Sequence, residues 1–330
     1  MSRKLLVLLA LCAIVAIVAY RASGLDFDWA LFRSSLSGVK PWWLAACVVM
    51  TFATYWLRAI RWQVLLAPLK KLSLSPLVSI TMVGFAAIFA LGRAGELARP
   101  VWLSRRENVP MSGAFATIVV ERVLDIIMMA ALLAFALIVV EVPAGSEQTL
   151  GVLKNGAWFV SAIVVAGTVG LLLIRTNAER IVRLIPFRRL AALVENFAQG
   201  LSFLQNKKAL FLVILHSAIL WIAIALQFWF LLLGMNAGFS LGASTLVMVA
   251  AGIGSVAMLP GIGGGFQAAI SFCMTTLFQV PKEQATATSL IAWVVSYAPT
   301  IIVGAIYMAV KGISIRELKS TIRKPESETV

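Results

Sequence analysis

Residues 76–108 read PLVSITMVGFAAIFALGRAGELARPVWLSRREN, an apolar run that ends in a glycine- and arginine-rich turn. The apolar part, 76–92, lies between two basic stretches. Arg58, Arg61, Lys70 and Lys71 precede it; Arg93, Arg99, Arg105 and Arg106 follow it. Short basic loops stay on the cytoplasmic side of a membrane. A single crossing cannot join two points on one side, so the run must turn back. Segment 112–123 is expected as its other limb, giving a re-entrant pair that enters and leaves from the cytoplasm. Such backbone is tolerated at membrane depth only where protein or water satisfies it.

The rest of the chain supplies the membrane context. Of 330 residues, 61% are hydrophobic and 13% charged, with mean hydropathy +0.96; a soluble domain carries about 25% charged residues. Apolar blocks at 5–21, 42–60, 124–142, 156–174, 209–234 and 286–310 are long enough to cross about 30 Å of hydrocarbon. A further pair, 241–259 and 264–280, flanks a glycine-rich turn and either crosses twice or forms a hairpin from the outer side. The expected fold is an all-α polytopic membrane protein, a helical bundle with six to eight spanning helices, two re-entrant hairpins and an inverted repeat. The net charge of +14 sits mostly between the apolar blocks, where it sets topology and meets anionic lipid rather than nucleic acid.

Other loops agree. Segment 175–208 is basic, with Arg175, Arg180, Arg183, Arg188, Arg189, Lys207 and Lys208, whereas 141–155 is mainly acidic and 235–240 uncharged. Both termini are expected in the cytoplasm. The N-terminal Arg3-Lys4 and the apolar stretch to Tyr20 read as an uncleaved first helix. Segment 176–205 reads as a cytoplasmic amphipathic connector, and 313–330 as a short polar tail following a membrane domain over 1–312. Cys12, Cys47 and Cys273 lie within apolar segments and read as packing residues; with one histidine, His216, no metal site and no cofactor are expected.

The two halves echo each other. Helix 42–60, a broken hairpin and helix 124–142 are matched by helix 209–234, a broken hairpin and helix 286–310. Met82-Val83-Gly84 leads to Gly92-Arg93-Ala94-Gly95, and Met248-Val249-Ala250 leads to Pro260-Gly261-Ile262-Gly263. Discontinuous segments at matching positions of two halves point to a binding site between them.

Three constellations carry chemistry. In Gly92-Arg93-Ala94-Gly95-Glu96-Leu97-Ala98-Arg99, the arginines and Glu96 recur every three residues. On a helix they share a face, and the surplus positive charge suits a phosphate. In Glu121-Arg122-Val123-Leu124-Asp125, three charges sit inside an apolar run, at roughly 2.5–3.5 kcal/mol each on insertion scales. Arg122 can pair with Asp125, while Glu121 and Asp125 repel unless a cation lies between them; Arg93 or Arg99 is expected there. In Leu259-Pro260-Gly261-Ile262-Gly263-Gly264, proline and glycine unwind the backbone. Trp42, Trp43, Trp56 and Trp62 flank helix 42–60 and suit interfacial anchoring, with Arg58 and Arg61 as headgroup contacts.

Taken in order, Trp56-x-Arg58-x-x-Arg61-Trp62, Gly92-Arg93-Ala94-Gly95-Glu96-x-x-Arg99, Glu121-Arg122-x-x-Asp125 and Leu259-Pro260-Gly261-x-Gly263-Gly264 resemble the flippase-like transmembrane domain of lysylphosphatidylglycerol synthases. The resemblance covers about 1–312. It implies a lipid-translocating helical bundle in a bacterial or archaeal cytoplasmic membrane. The synthase's soluble catalytic domain has no counterpart here, so the expectation is a transporter rather than an enzyme. Phe266-Gln267 stands where relatives are expected to carry an acid. The expected roles are lipid-headgroup binding by Arg58, Arg61, Arg93, Arg99 and Arg122; charge positioning or proton coupling by Glu96, Glu121 and Asp125; and gating by Gly92, Gly95, Pro260, Gly261, Gly263 and Gly264. The expected partners are membrane lipids, anionic above all, and further copies of the chain. The alternative is a non-transporting scaffold or lipid-binding partner of another envelope protein.

Overall fold

The computed structural model describes residues 27–146, 201–259 and 263–310, with isolated positions between 148 and 195; side chains at 89–94 are outside it. The expected spans at 5–21 and 156–174, most of the 176–205 connector and the tail lie outside the described residues.

The described chain is helical. A short helix α1 (Trp29–Ser37) is capped by Asp28, whose carboxylate accepts from the Ala30 and Leu31 amides. Then come α2 (Pro41–Leu66), α3 (Leu74–Leu91), a 3₁₀ turn (Gly92–Leu97), α4 (Ala98–Glu107) and α5 (Met111–Val139). After a second 3₁₀ turn (Ser202–Gln205) follow α6 (Lys207–Gly234), α7 (Leu241–Gly254), α8 (Gly265–Phe278) and α9 (Lys282–Val310). Helices α2, α5, α6 and α9 have 26, 29, 28 and 29 residues and are the four described helices long and apolar enough to cross a membrane.

The first hairpin differs from the expectation. Segments 112–123 and 124–142 are not a re-entrant limb and a separate span. They form one continuous helix, α5, which begins after Pro110 in an extended conformation. Glu121, Arg122 and Asp125 do not interrupt it, because charged side chains keep the backbone ladder intact when partners from other helices neutralise them. The returning limb is instead the 3₁₀ turn with α4, both packed against α3. The ends meet: Lys70 Nζ donates to the Glu107 carbonyl at 2.6 Å and lies 3.6 Å from its carboxylate.

The second hairpin is the pair α7 and α8, 14 residues each, or about 21 Å at 1.5 Å per residue. That is short of the hydrocarbon thickness. Their tip carries a two-residue antiparallel pairing, β1 (Met258–Leu259) with β2 (Gly263–Gly264). Gly264 has φ +69°, a left-handed value that favours glycine. The helices cross where Gly254 meets Gly265 backbone to backbone; a Cβ on Gly254 would fall on the Gly265 carbonyl. Gly254→Ala is expected to part the hairpin and cost about 1–3 kcal/mol, read as a lowered unfolding midpoint in detergent.

The two halves share one succession: long helix, hairpin, long helix. Their contacts are reciprocal. Helix α3, from the first hairpin, packs on α9 of the second half; α7, from the second hairpin, packs on α5 of the first. The equivalent helices α2 and α6 pack side by side and antiparallel. The Lys40 amide at the start of α2 donates to the Gly234 carbonyl at the end of α6, at 3.0 Å. Leu65 and Leu66 at the other end of α2 share a core with Val213 near the start of α6. The equivalent helices thus run antiparallel, and each hairpin packs on the other half. The tips meet, with β1 against the Gly92–Leu97 turn.

Candidate functional site

Two helix faces build the charge cluster. On α2, Arg58, Arg61 and Trp62 project toward α5 from adjacent turns. On α5, Thr117, Glu121 and Asp125 recur every four residues and share a face. The stripes run antiparallel and interlock. Trp62 Nε1 donates to Thr117 Oγ1 at 2.9 Å, Arg61 Nη2 lies 3.7 Å from Glu121 Oε1, and Arg61 Nη1 donates to Asp125 Oδ1 at 2.7 Å. The cation between Glu121 and Asp125 is therefore Arg61, contributed by α2. Arg99 serves Glu121 alone, donating from Nη1 to Oε2 at 2.7 Å. Its guanidinium also stacks 4.3 Å from the centre of the Trp62 ring. Gly84 on α3 leaves room for it, since a Cβ there would lie 3.0 Å from Arg99 Cδ.

Trp62 is thus not an interfacial anchor. It is fully buried, as is Arg61, because it floors the ion-pair cluster. Trp42 and Trp56, by contrast, are 65% and 51% exposed, as side chains facing lipid would be.

The four described arginines of the cluster fall into two kinds. Arg61 and Arg99 are buried and hydrogen-bonded to carboxylates. Arg58 and Arg122 hold carboxylates only loosely. Asp125 Oδ2 lies 3.7 Å from Arg58 Nη1 and 3.6 Å from Arg122 Nη2, and Glu96 Oε2 lies 3.9 Å from Arg122 Nε. These are ion-pair separations beyond hydrogen-bond length. Arg122 keeps 37% of its side chain exposed. Arg58, Arg61, Arg99 and Arg122 face Glu96, Glu121 and Asp125, so the described side chains of the cluster carry one positive charge in excess.

Arg58 and Arg122 look into a cavity of about 340 Å³, which Arg61 and Arg99 do not line. It lies at mid-length of the four long helices and draws on both halves. Glu96 from the first hairpin tip and Ser255 and Val256 from the second line it. Its charged part is Arg58, Glu96, Arg122 and Asp125. Its walls include Tyr55, Phe85, Trp221, Phe228, Phe266 and Tyr297, and a neutral polar part holds Thr51, Thr54, Gln227 and Ser296. Glu121 is sealed behind this wall, and Gln267, in the acid-poor motif, is half-buried on α8 outside the lining.

The remaining expected residues are placed as follows. Gly95 is buried with its backbone against Ala87 and Ile88 of α3. Gly92 and Arg93 belong to the same 3₁₀ turn, and their side chains are outside the description. Gly263 and Gly264 form β2; Pro260 and Gly261 lie outside the described residues. The expected face shared by Arg93, Glu96 and Arg99 is divided, because the helix begins only at Ala98. Glu96 reaches Arg122, and Arg99 reaches Glu121.

Two further residues of the site carry no signal in the sequence. Trp221 Nε1 donates to Asp125 Oδ1 at 3.0 Å, and Ser217 Oγ accepts from Arg61 Nη1 at 3.1 Å. Both lie one turn apart on α6, but a serine and a tryptophan in an apolar run signal nothing alone. Trp221→Phe keeps the ring and removes the donor. It is expected to destabilise the fold by about 1–3 kcal/mol, measurable by thermal unfolding in detergent.

The family described as lysylphosphatidylglycerol synthase TM region matches residues 5–304. The chain belongs to this family. It is a multi-pass membrane protein, as the four long apolar helices and the family together show. Among curated relatives, the glycosyltransferase AglD of Haloferax volcanii is 25% identical over 357 residues, which include 96% of this chain and 57% of the relative. The chain thus spans little more than half the length of that protein. No solved structure matches it. For a member of this family, the motifs on which the resemblance rested converge in space. Three of the four contribute side chains to one charge cluster, and the described ends of the fourth, Leu259 and Gly263-Gly264, pair at the tip of the second hairpin.

Proposed function

We propose that this chain is a lipid transporter that moves an anionic phospholipid headgroup between leaflets, without enzymatic chemistry of its own. The observation that carries the reading is the cavity between the two hairpin tips. One part presents two guanidiniums that no carboxylate among the described residues holds at hydrogen-bond distance; the remainder is largely apolar and aromatic. A phosphate would take the hydrogen bonds that Arg58 and Arg122 leave open, and it would neutralise the excess charge. Acyl chains would remain in the bilayer or against the apolar wall.

The architecture supports movement. Two hairpins enter from opposite ends and meet at mid-bundle, each packed on the last helix of the other half. Rocking one half against the other would open the cavity to either side in turn. Lys70, Lys71, Arg105, Arg106, Lys207 and Lys208 gather at the end where the first hairpin opens, so that end is assigned to the cytoplasm of a bacterial or archaeal inner membrane. In this orientation the first hairpin is re-entrant from inside and the second from outside. Glu96, at the tip, lines the cavity beside Arg122.

The test is leaflet exchange of fluorescent lipids in proteoliposomes, with and without a proton gradient. Anionic, aminoacylated, neutral and polyprenyl-phosphate lipids would be offered in turn. Selective movement of an anionic class supports the reading. No movement of any lipid by folded protein would overturn it in favour of a lipid-binding scaffold.

A further inference from the structure

The neutral part of the cavity is itself a built site. Thr51, Thr54 and Arg58 lie on one face of α2, at spacings of three and four residues. Thr51 is two turns from Arg58, about 10 Å along the axis. Thr51, Thr54 and Gln227 are nearly fully buried, at 1%, 4% and 5% exposure. A primary amide and two hydroxyls in the middle of a membrane bundle are costly unless partnered. Their donors are engaged. Gln227 Nε2 donates to Thr51 Oγ1 at 2.9 Å and to Ser296 Oγ at 3.4 Å. Thr51 Oγ1 donates to the Val295 carbonyl at 2.8 Å and also lies 3.0 Å from the Cys47 carbonyl, and Thr54 Oγ1 donates to the Thr51 carbonyl at 2.7 Å. What stays open is acceptor capacity. Both described hydrogen bonds of the Gln227 side chain leave from its nitrogen, so among the described residues its oxygen is an acceptor still open on a residue that lines the cavity. Trp221 and Tyr297 line the same cavity.

Hydroxyls, an amide and aromatic faces are groups that recognise an uncharged polyol. No described carboxylate stands there to favour a primary ammonium, since Glu96 and Asp125, the carboxylates lining the cavity among the described residues, both belong to the arginine part. Building on the lipid-binding reading above, we infer that the transported headgroup is a phosphodiester followed by a hydroxyl-bearing neutral group, a glycerol or a sugar-like ring. The phosphate sits at Arg58 and Arg122, and the hydroxyls sit at Thr51, Gln227 and Ser296.

The experiment compares four dioctanoyl lipids by titration against the purified protein in detergent. Phosphatidylethanol, phosphatidylglycerol and phosphatidylinositol carry the same single negative charge, but only the last two carry headgroup hydroxyls. Phosphatidylethanolamine carries an ammonium instead. The expected result is binding of phosphatidylglycerol or phosphatidylinositol at least about tenfold tighter than phosphatidylethanol, and the stronger of the two distinguishes glycerol from ring. In Gln227→Leu and Thr51→Val the preference should vanish while phosphatidylethanol affinity stays, which also certifies the fold. Equal binding of the three monoanionic lipids overturns the inference, as does a preference that survives both substitutions or strongest binding of phosphatidylethanolamine. If none of the four binds, the lipid-binding reading itself falls and takes this inference with it.

Discussion

Replacing Arg61 with leucine is expected to destabilise the protein by about 3–5 kcal/mol, the cost of leaving a buried charge without its partner. Arg61 is fully buried and sits between Glu121 and Asp125, which lie one helical turn apart on α5. Without it, two carboxylates face each other across that turn in a low-dielectric interior. Arg99 still holds Glu121, and Arg58 and Arg122 approach Asp125 only at 3.6–3.7 Å, so compensation is incomplete. Ser217 also loses its donor. The loss is read as a fall in the denaturation midpoint of purified protein and as reduced accumulation in the membrane. The double substitution Arg61→Leu with Asp125→Leu should lose less than the sum of the single changes, because the second removes the charge the first exposed. A single Arg61→Leu protein as stable as the parent would mean that the cluster does not hold α2, α5 and α6 together.

This separation of roles changes how the motifs are read. The spacing Arg58-x-x-Arg61 looks like one basic patch. One residue is buried in an ion pair; the other faces the cavity. Sequence has no signal for that division, because it depends on where α5 and α6 cross α2. The buried acids on α5 were legible, since charges inside an apolar run must find partners. Their partner was not, because Arg61 is sixty residues away and looked like part of a cytoplasmic loop. Likewise, the first hairpin was legible from charge on both sides of 76–92. Its returning limb was misplaced because α4, with Arg99, Arg105 and Arg106, is too polar to read as a membrane limb. It lies against α3 and α5 rather than lipid, and its key cation is neutralised by Glu121. The polar face of α2 was written in Thr51, Thr54, Tyr55 and Arg58, but three hydroxyls in an apolar helix are as often interhelical ties. Only the cavity singles them out.

The second large effect concerns Arg58 and Arg122. Each is expected to contribute about 1.5–3 kcal/mol to holding a headgroup phosphate, as hydrogen bonds to charged groups do. Neither leaves a buried charge unpaired when removed. Asp125 retains Arg61 and Trp221, and Glu96 is partly exposed. The combined loss is therefore expected in transport rather than in stability, roughly a hundredfold or more.

The most direct measurement is leaflet exchange of an anionic lipid in proteoliposomes by the wild type and by Arg58→Gln with Arg122→Gln, at equal amounts of folded protein. The account predicts rapid exchange by the wild type, and exchange at the protein-free rate by a variant whose unfolding midpoint is little changed. Undiminished exchange by the doubly substituted protein would contradict the assignment of the headgroup to these two arginines.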